Sequence, residues 1–286
     1  MKPFSIPVVA LGPGSQISPD EEELEYLPLP HEMSIFQIPE LPEPEQLAAR
    51  PQARTCLLEI RDTLAAWRPG DPALTVHLDT LDPEAHALVA QVLGEGEVSI
   101  RFDGRPRLRV QESVLTGVWR VQELDDTGGT RAEWVEVGEI PTAVRAHAFQ
   151  GAARTVTLDA PEQLPAGVLN APPVLVELLD HAAQCRPGGP GHVVNLTLLP
   201  QTPEDLAYLE TRLGTGPVDI LSRGYGNCRI TATNVRNIWW VRHFNSQDLP
   251  ILTTVEVVDV PTVACAARED LEDSHARLVE ILEVLE

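Results

Sequence analysis

Two carboxylates stand one residue apart in the run Gly94-Glu95-Gly96-Glu97-Val98. A glycine-rich loop of this kind can cradle phosphate when it follows a strand and opens a helix, because backbone amides and the helix dipole then face the anion. Here the order is reversed, with a helical pattern leading in and a strand pattern leading out, and both glutamates would repel phosphate. The pair could instead work as general acid and base. A duplicate of this segment later in the chain carries Thr215 and Pro217 at the two positions, so Glu95 and Glu97 read as a charged loop rim.

His77 and His86 flank a turn beside Asp79 and Asp82, a set that could hold a metal, yet the duplicate has Thr197 and Leu206 for the histidines. The eight histidines do not otherwise cluster, and neither G-x-S-x-G nor H-E-x-x-H occurs. Cys56, Cys185, Cys228 and Cys265 are scattered without a C-x-x-C pair. That suits reduced thiols used as small buried residues, although a site assembled from distant cysteines stays open. The pattern calls for no catalytic residue, cofactor or metal.

The run Asn234-Val235-Arg236-Asn237-Ile238-Trp239-Trp240-Val241-Arg242 offers binding chemistry instead. Along a strand, alternate side chains share a face. Trp239 and its counterpart Trp119 are therefore expected in the core, while Trp240 and Arg120 point the other way, alongside Arg236 and Arg242. Exposed Trp and Arg together suggest a protein interface.

The elements that position these residues come from periodicity. Leu57, Leu58, Ile60, Leu64 and Trp67 fall at helical spacing, and Arg68-Pro69-Gly70 stops that helix. Leu74 to Leu78 alternates as a strand. A helix follows from Pro83 to Leu93, with Gly94 as its cap, and then strands over 98–102, 108–110, 114–124 and 134–137. Sliding the chain by 120 residues superposes this pattern on a second copy. From Thr75 to Val144, 18 of 70 positions are identical without a gap, where about 4 would be expected from average composition. The expected fold is α+β: two tandem duplicated domains, each helix, strand, helix and antiparallel strands. Their limits are 52–150 and 174–286, with a linker over 151–173 and a closing amphipathic helix through Leu271, Leu278, Ile281, Leu282 and Leu285. Residues 1–51 hold ten of the 26 prolines and nine acids against Lys2 and Arg50. They read as an extended acidic arm without regular structure.

The 286 residues carry 21 bases against 43 acids, a formal charge of −22. Such a chain would not bind nucleic acid or anionic lipid without sequence selectivity, since phosphates attract Lys and Arg. A basic partner is favoured. No stretch of about 18 apolar residues spans a membrane, and the prolines near Met1 break a signal-peptide pattern, so a cytoplasmic location is expected.

Several segments together resemble one family: Leu93 to Ser99, Gly117-Val118-Trp119-Arg120-Val121, Asn195-Leu196-Thr197 with Leu199-Pro200, Gly224-Tyr225-Gly226, Asp273 to Leu278, and Leu11 to Gln16. They look like the signatures of the HupH/HyaF/HoxQ hydrogenase expression and formation proteins, over nearly the whole chain. The resemblance implies an accessory protein or chaperone for membrane-bound [NiFe] uptake hydrogenase. It would bind the iron–sulfur small subunit precursor before twin-arginine export, with a thioredoxin-like partner of the HyaE/HoxO type. No catalytic residue carries over. The alternative is a scaffold that assists or protects iron–sulfur cluster assembly, using Cys185 or Cys228. Candidate contacts are the carboxylates Glu95 and Glu97, with the acidic arm and last helix, the apolar Trp240 and Tyr225, and Arg120, Arg236 and Arg242.

Overall fold

The computed structural model describes residues 41–224 and 226–285. The arm before residue 41 and the candidate contact Tyr225 lie outside the described residues. A short helix α1 (Pro44–Ala48) precedes the first copy. That copy comprises α2 (Pro51–Ala66), β1 (Leu74–His77), α3 (Pro83–Leu93), β2 (Val98–Asp103), β3 (Arg107–Glu112), β4 (Val118–Leu124) and β5 (Thr130–Val137). After α4 (Thr142–His147) comes the second: α5 (Ala171–Gln184), β6 (His192–Asn195), α6 (Pro203–Leu213), β7 (Val218–Ser222), β8 (Asn227–Ala232), β9 (Ile238–Phe244) and β10 (Pro250–Val257). The chain closes with α7 (Arg268–Val284).

Helix α1 corrects the reading of the arm as free of regular structure up to residue 51. Pro44 sits in the first turn, where its missing N–H is one that no helix bonds anyway. Gln46 accepts the Glu43 amide at 2.9 Å, and Leu47 is buried in the core of the first copy.

The two copies meet the same local requirements, in part with identical residues. Asp82 caps α3 by accepting the Ala85 amide at 2.8 Å, and Thr202 caps α6 by accepting that of Asp205 at 2.9 Å. Gly94 and Gly214 end these helices at φ +56° and +64°, a region that a side chain disfavours. A Cβ on Gly96 or Gly216 would run into the carbonyl of Ser113 or Thr233. Trp119 donates its indole N–H to Gly138 at 2.9 Å, and Trp239 does the same to Val258 at 3.2 Å.

All ten strands form one antiparallel sheet in the order β1-β5-β4-β3-β2-β7-β8-β9-β10-β6. The halves meet at β2 and β7, where Ile100 faces Ile220. Ile220 is the counterpart of Ile100 at the 120-residue offset, so the seam is centred on a pseudo-two-fold axis. The two copies are therefore joined edge to edge.

Strand alternation then sends residues to two faces. On one face, α2, α3 and α7 pack over the outer strands of the first copy around Leu57, Ile60, Val89, Val118 and Val135. There α5 and α6 cover the second copy around Leu175, Leu178, Leu209, Trp240 and Val255. On the opposite face a third core crosses the seam, joining Ile100 and Trp119 to Ile220 and Trp239 beneath Val144 of α4, Val260 and Ala264. Helix α7 follows the second copy in sequence but packs on the first, and its Ser274 hydroxyl donates to the Thr116 carbonyl at 2.9 Å.

Asp205 ties α5 to α6. One carboxylate oxygen accepts the amides of Leu169, Asn170 and Ala171 at 2.8–2.9 Å, and the other accepts that of Thr202 at 3.0 Å. Burial alone would raise its pKa, but the four amides outweigh it and hold the group at about 2. The ionised form is thus favoured by folding. Its stabilising contribution is present above the ordinary 3.8 and is lost as pH falls through about 2. Asp205→Ala, which leaves these amides without an acceptor, is expected to lower the stability by about 3 kcal/mol or more. Urea unfolding at pH 7 measures it, and the gap between variant and parent should narrow in acid.

Candidate functional site

The helices on the two ends of the sheet leave its middle strands open on that face. There β2, β3 and β4 form a depression of about 570 Å³, lined by Glu95, Ser99, Arg101, Arg109, Gln111 and Arg120 among others. Glu95 stands exposed on its rim. Glu97 is also exposed and reaches across the seam, its carbonyl accepting the Arg223 amide at 3.1 Å. The loop that carries the two carboxylates thus leaves α3, as its glycines demand, and ends against the second copy.

Most arginines here hold a carboxylate. Arg120 bonds Glu133 at 2.8 Å, and Gln122 and His86 also face Glu133. Burial pushes the Glu133 pKa up, but the bonds from Arg120 and Gln122 outweigh it and the net shift is downward. Arg101 meets Asp103 at 3.1 Å. In the second copy Arg229 grips Asp219 with two bonds of 2.8 and 2.9 Å. Arg109 is the counterpart of Arg229, but Ser99 stands where the second copy has Asp219. Among the described residues Arg109 makes no ion pair, and it is exposed.

Two expectations need correction. Trp240 does point away from Trp239, but that face is covered by α5 and α6, and the residue is only 4% exposed. Arg120 and Arg242 are not free for a partner: Arg120 holds Glu133, and Arg242 bonds Glu210 at 2.5 Å with its guanidinium 4.6 Å from the Trp240 ring. His77, His86, Asp79 and Asp82 do not gather as a metal set among the described residues. The depression brings Glu95 and Arg120 together, whereas Arg242 lies on β9 of the second copy. Arg236 is exposed in a separate cleft of about 880 Å³, between α4 and the end of α5, with Arg145, Arg154, Cys185 and Asp259.

The thiols are poor donors for a cluster. Burial, with Glu256 nearby, pushes Cys228 up to about 11, and burial likewise holds Cys56 and Cys265 at about 11. Cys185, half-buried, is raised by burial and by Asp259.

Arg109 and Glu112 were not singled out in the sequence. The signal for Arg109 was the loss of its carboxylate between copies. Glu112 is buried under the Glu95–Glu97 loop, accepts the Gly117 amide at 3.1 Å, and stands opposite Trp119. Burial is the larger influence on it, and Glu97 and Asp270 add to it against the Gly117 amide. Its pKa rises to about 7.

Residues 51–157 and 168–285 match the family model described as HupH hydrogenase expression protein, C-terminal conserved region. The chain is 49% identical to the hydrogenase expression/formation protein HoxQ of Cupriavidus necator, over 99% of its own length and 98% of that protein. It is 32% identical to the hydrogenase-1 operon protein HyaF of Escherichia coli, over 96% of its own length and 95% of that protein. Among solved structures, the hydrogenase expression protein HupH from Thiobacillus denitrificans is 31% identical, with a TM-score of 0.36, covering 39% of this chain and 92% of that one.

Two outcomes follow from the burial of these groups. Because folding favours protonated Glu112, its contribution is fully present below the ordinary 4.5 and is lost as pH rises through about 7. Glu112→Gln, which keeps an acceptor for Gly117, should flatten the pH dependence of Tm across that window and raise Tm at pH 8. Trp240→Ala should destabilise by about 3–5 kcal/mol, as buried Trp truncations do, rather than act as a surface change. Chemical denaturation of both variants checks these expectations.

Proposed function

We propose that this chain, which belongs to the family of HupH hydrogenase expression proteins, serves hydrogenase formation as a non-catalytic partner of the iron–sulfur small subunit precursor. The observation that carries the reading is full-length kinship with proteins named for hydrogenase expression and formation. The finer assignment to the small subunit, before twin-arginine export and with a thioredoxin-like accessory protein, extends that kinship. The protein acts in the cytoplasm on this reading, and among the described residues no helix is long and apolar enough to cross a membrane.

The chemistry of such a client suits the open face of the sheet. A twin-arginine precursor carries adjacent positive charges beside an apolar stretch. Glu95 and Glu97 supply carboxylates, while Arg109, with Arg101 from its exposed pair with Asp103, meets acidic groups of the folded subunit. With Trp240 buried, the apolar contacts fall to exposed side chains of the second copy. Leu198 follows β6, and Leu249 and Ile251 lie at the start of β10, at 80%, 57% and 58% exposure. The antiparallel pairing of β6 with β10 puts these residues at the same end of the sheet.

Titration of purified precursor, with and without its signal peptide, against the full chain tests the assignment. Arg101→Glu with Arg109→Glu should weaken binding at least tenfold while circular dichroism stays unchanged, because both side chains are exposed. Glu95→Gln should cost less than about fivefold, since an exposed pair contributes about 0–1 kcal/mol. Wild-type affinity in the double arginine variant would remove the depression from the interface. Absence of binding to either form of the precursor would overturn the client itself.

A further inference from the structure

Away from the open face, the fold assembles three potential metal ligands that lie apart in sequence. Glu177 and His181 are four residues apart on α5, hence on one face of the helix. His192 opens β6, whose partner is β10. Donor atoms of the three side chains all lie within 4.8 Å of one another. The His192 ring nitrogen Nε2 is 2.7 Å from a Glu177 carboxylate oxygen. The rings of His181 and His192 stack with centroids 3.5 Å apart and planes 3° from parallel. Two of the eight histidines, unremarked in the sequence, are thus neighbours.

The first copy shows that the fold does not require this arrangement. With the two-residue slip between the preceding helices, Glu177 corresponds to Glu59 and His181 to Thr63; at the 120-residue offset His192 corresponds to Pro72. The same helix–strand junction is built there without an imidazole.

We propose that Glu177, His181 and His192 bind a divalent transition-metal cation, with coordination positions left open to solvent or to a partner's ligand. Imidazole and carboxylate donors suit Zn²⁺, Ni²⁺ and Cu²⁺ far better than Mg²⁺ or Ca²⁺. Three protein ligands leave at least one position open, as in sites that exchange or activate a ligand rather than in closed structural sites. Metal–ligand bonds of about 2.0–2.2 Å require the donors to draw closer than they stand. The lone pair of an imidazole lies in its ring plane, so two parallel stacked rings cannot both aim at one ion. One ring turns about its side-chain bonds when the cation enters, and partial exposure of all three side chains leaves room for that turn. Protons compete for the same ring nitrogens.

The full-length chain, tag-free and stripped by chelator, is titrated with Zn²⁺ by calorimetry and with Co²⁺ by visible absorption. One equivalent should bind with micromolar or tighter affinity, and Co²⁺ should give the d–d bands of a low-coordinate N/O site. His181→Ala and His192→Ala should each weaken binding at least thirtyfold, Glu177→Gln should weaken it less, and His275→Ala should leave it unchanged. Affinity should fall as pH is lowered, because protons compete with the cation for the donor atoms. Circular dichroism of each variant confirms the fold. Absence of stoichiometric binding by the parent chain, or equal affinity in the His181 and His192 variants, overturns the site.

Discussion

The pairing of β2 with β7 is the contact on which the molecule depends. Each copy alone would present β2 or β7 as a sheet edge, with a row of unpaired amides and carbonyls. Joining the edges satisfies both rows and places Ile100 beside Ile220. It also closes the third core, in which Phe102, Trp119, Val218 and Trp239 from both copies pack together. Neither copy owns that core, so neither copy is a complete folding unit in the sense its sequence repeat suggests. The open depression follows from the same pairing. Helices sit over the outer strands at either end, and the middle strands they do not reach keep polar side chains.

Much of this was legible in the residues. The limits of α3, Pro83 to Leu93, follow from a proline in the first turn and a glycine cap, and the duplication supplied the fold class. The seam was not legible. Val98, Ile100 and Phe102 alternate with Ser99 and Arg101 whether β2 is an edge or a central strand, because alternation reports the faces of a sheet and says nothing of its neighbours. Trp240 failed for a related reason. Alternation put it correctly on the face opposite Trp239, but whether that face meets water depends on α5 and α6, which pack from elsewhere in the chain. A proline count over residues 1–51 does not separate breakers from starters, and Pro44 opens α1 from its first turn.

The arginines show how burial and pairing decide what a charge can do. In a chain with 43 acids to 21 bases, many guanidinium groups find a carboxylate within reach. Arg120, Arg229 and Arg242 are held this way, while Arg145 spans two carboxylates, Glu139 and Asp259. Among the described residues Arg109 pairs with no carboxylate. Its charge is solvated in the open form, and its exposure makes desolvation on binding modest compared with that of a buried ion.

The internal duplication acts as a control that a single domain would lack. Several positions kept in both copies are ones the fold requires: Gly94 and Gly214 for their positive φ, Gly96 and Gly216 for close backbone approach, Trp119 and Trp239 for the shared core. The depression keeps Ile100 and Arg109 as Ile220 and Arg229 but differs at most of its other positions. Glu95 faces Thr215 in the comparison, Ser99 faces Asp219, Arg101 faces Leu221, and Arg120 faces Trp240. The Arg120–Trp240 difference is instructive, because one backbone position carries a half-buried ion pair in one copy and a helix-covered indole in the other. The second copy closed that face with α5 and α6 packed on an aromatic ring. The first keeps it polar, with Arg120 held by Glu133 beside His86 of α3. At Glu95, Ser99 and Arg101, and again at His181 and His192, the copies differ on a similar backbone, so the shared fold does not by itself dictate those side chains.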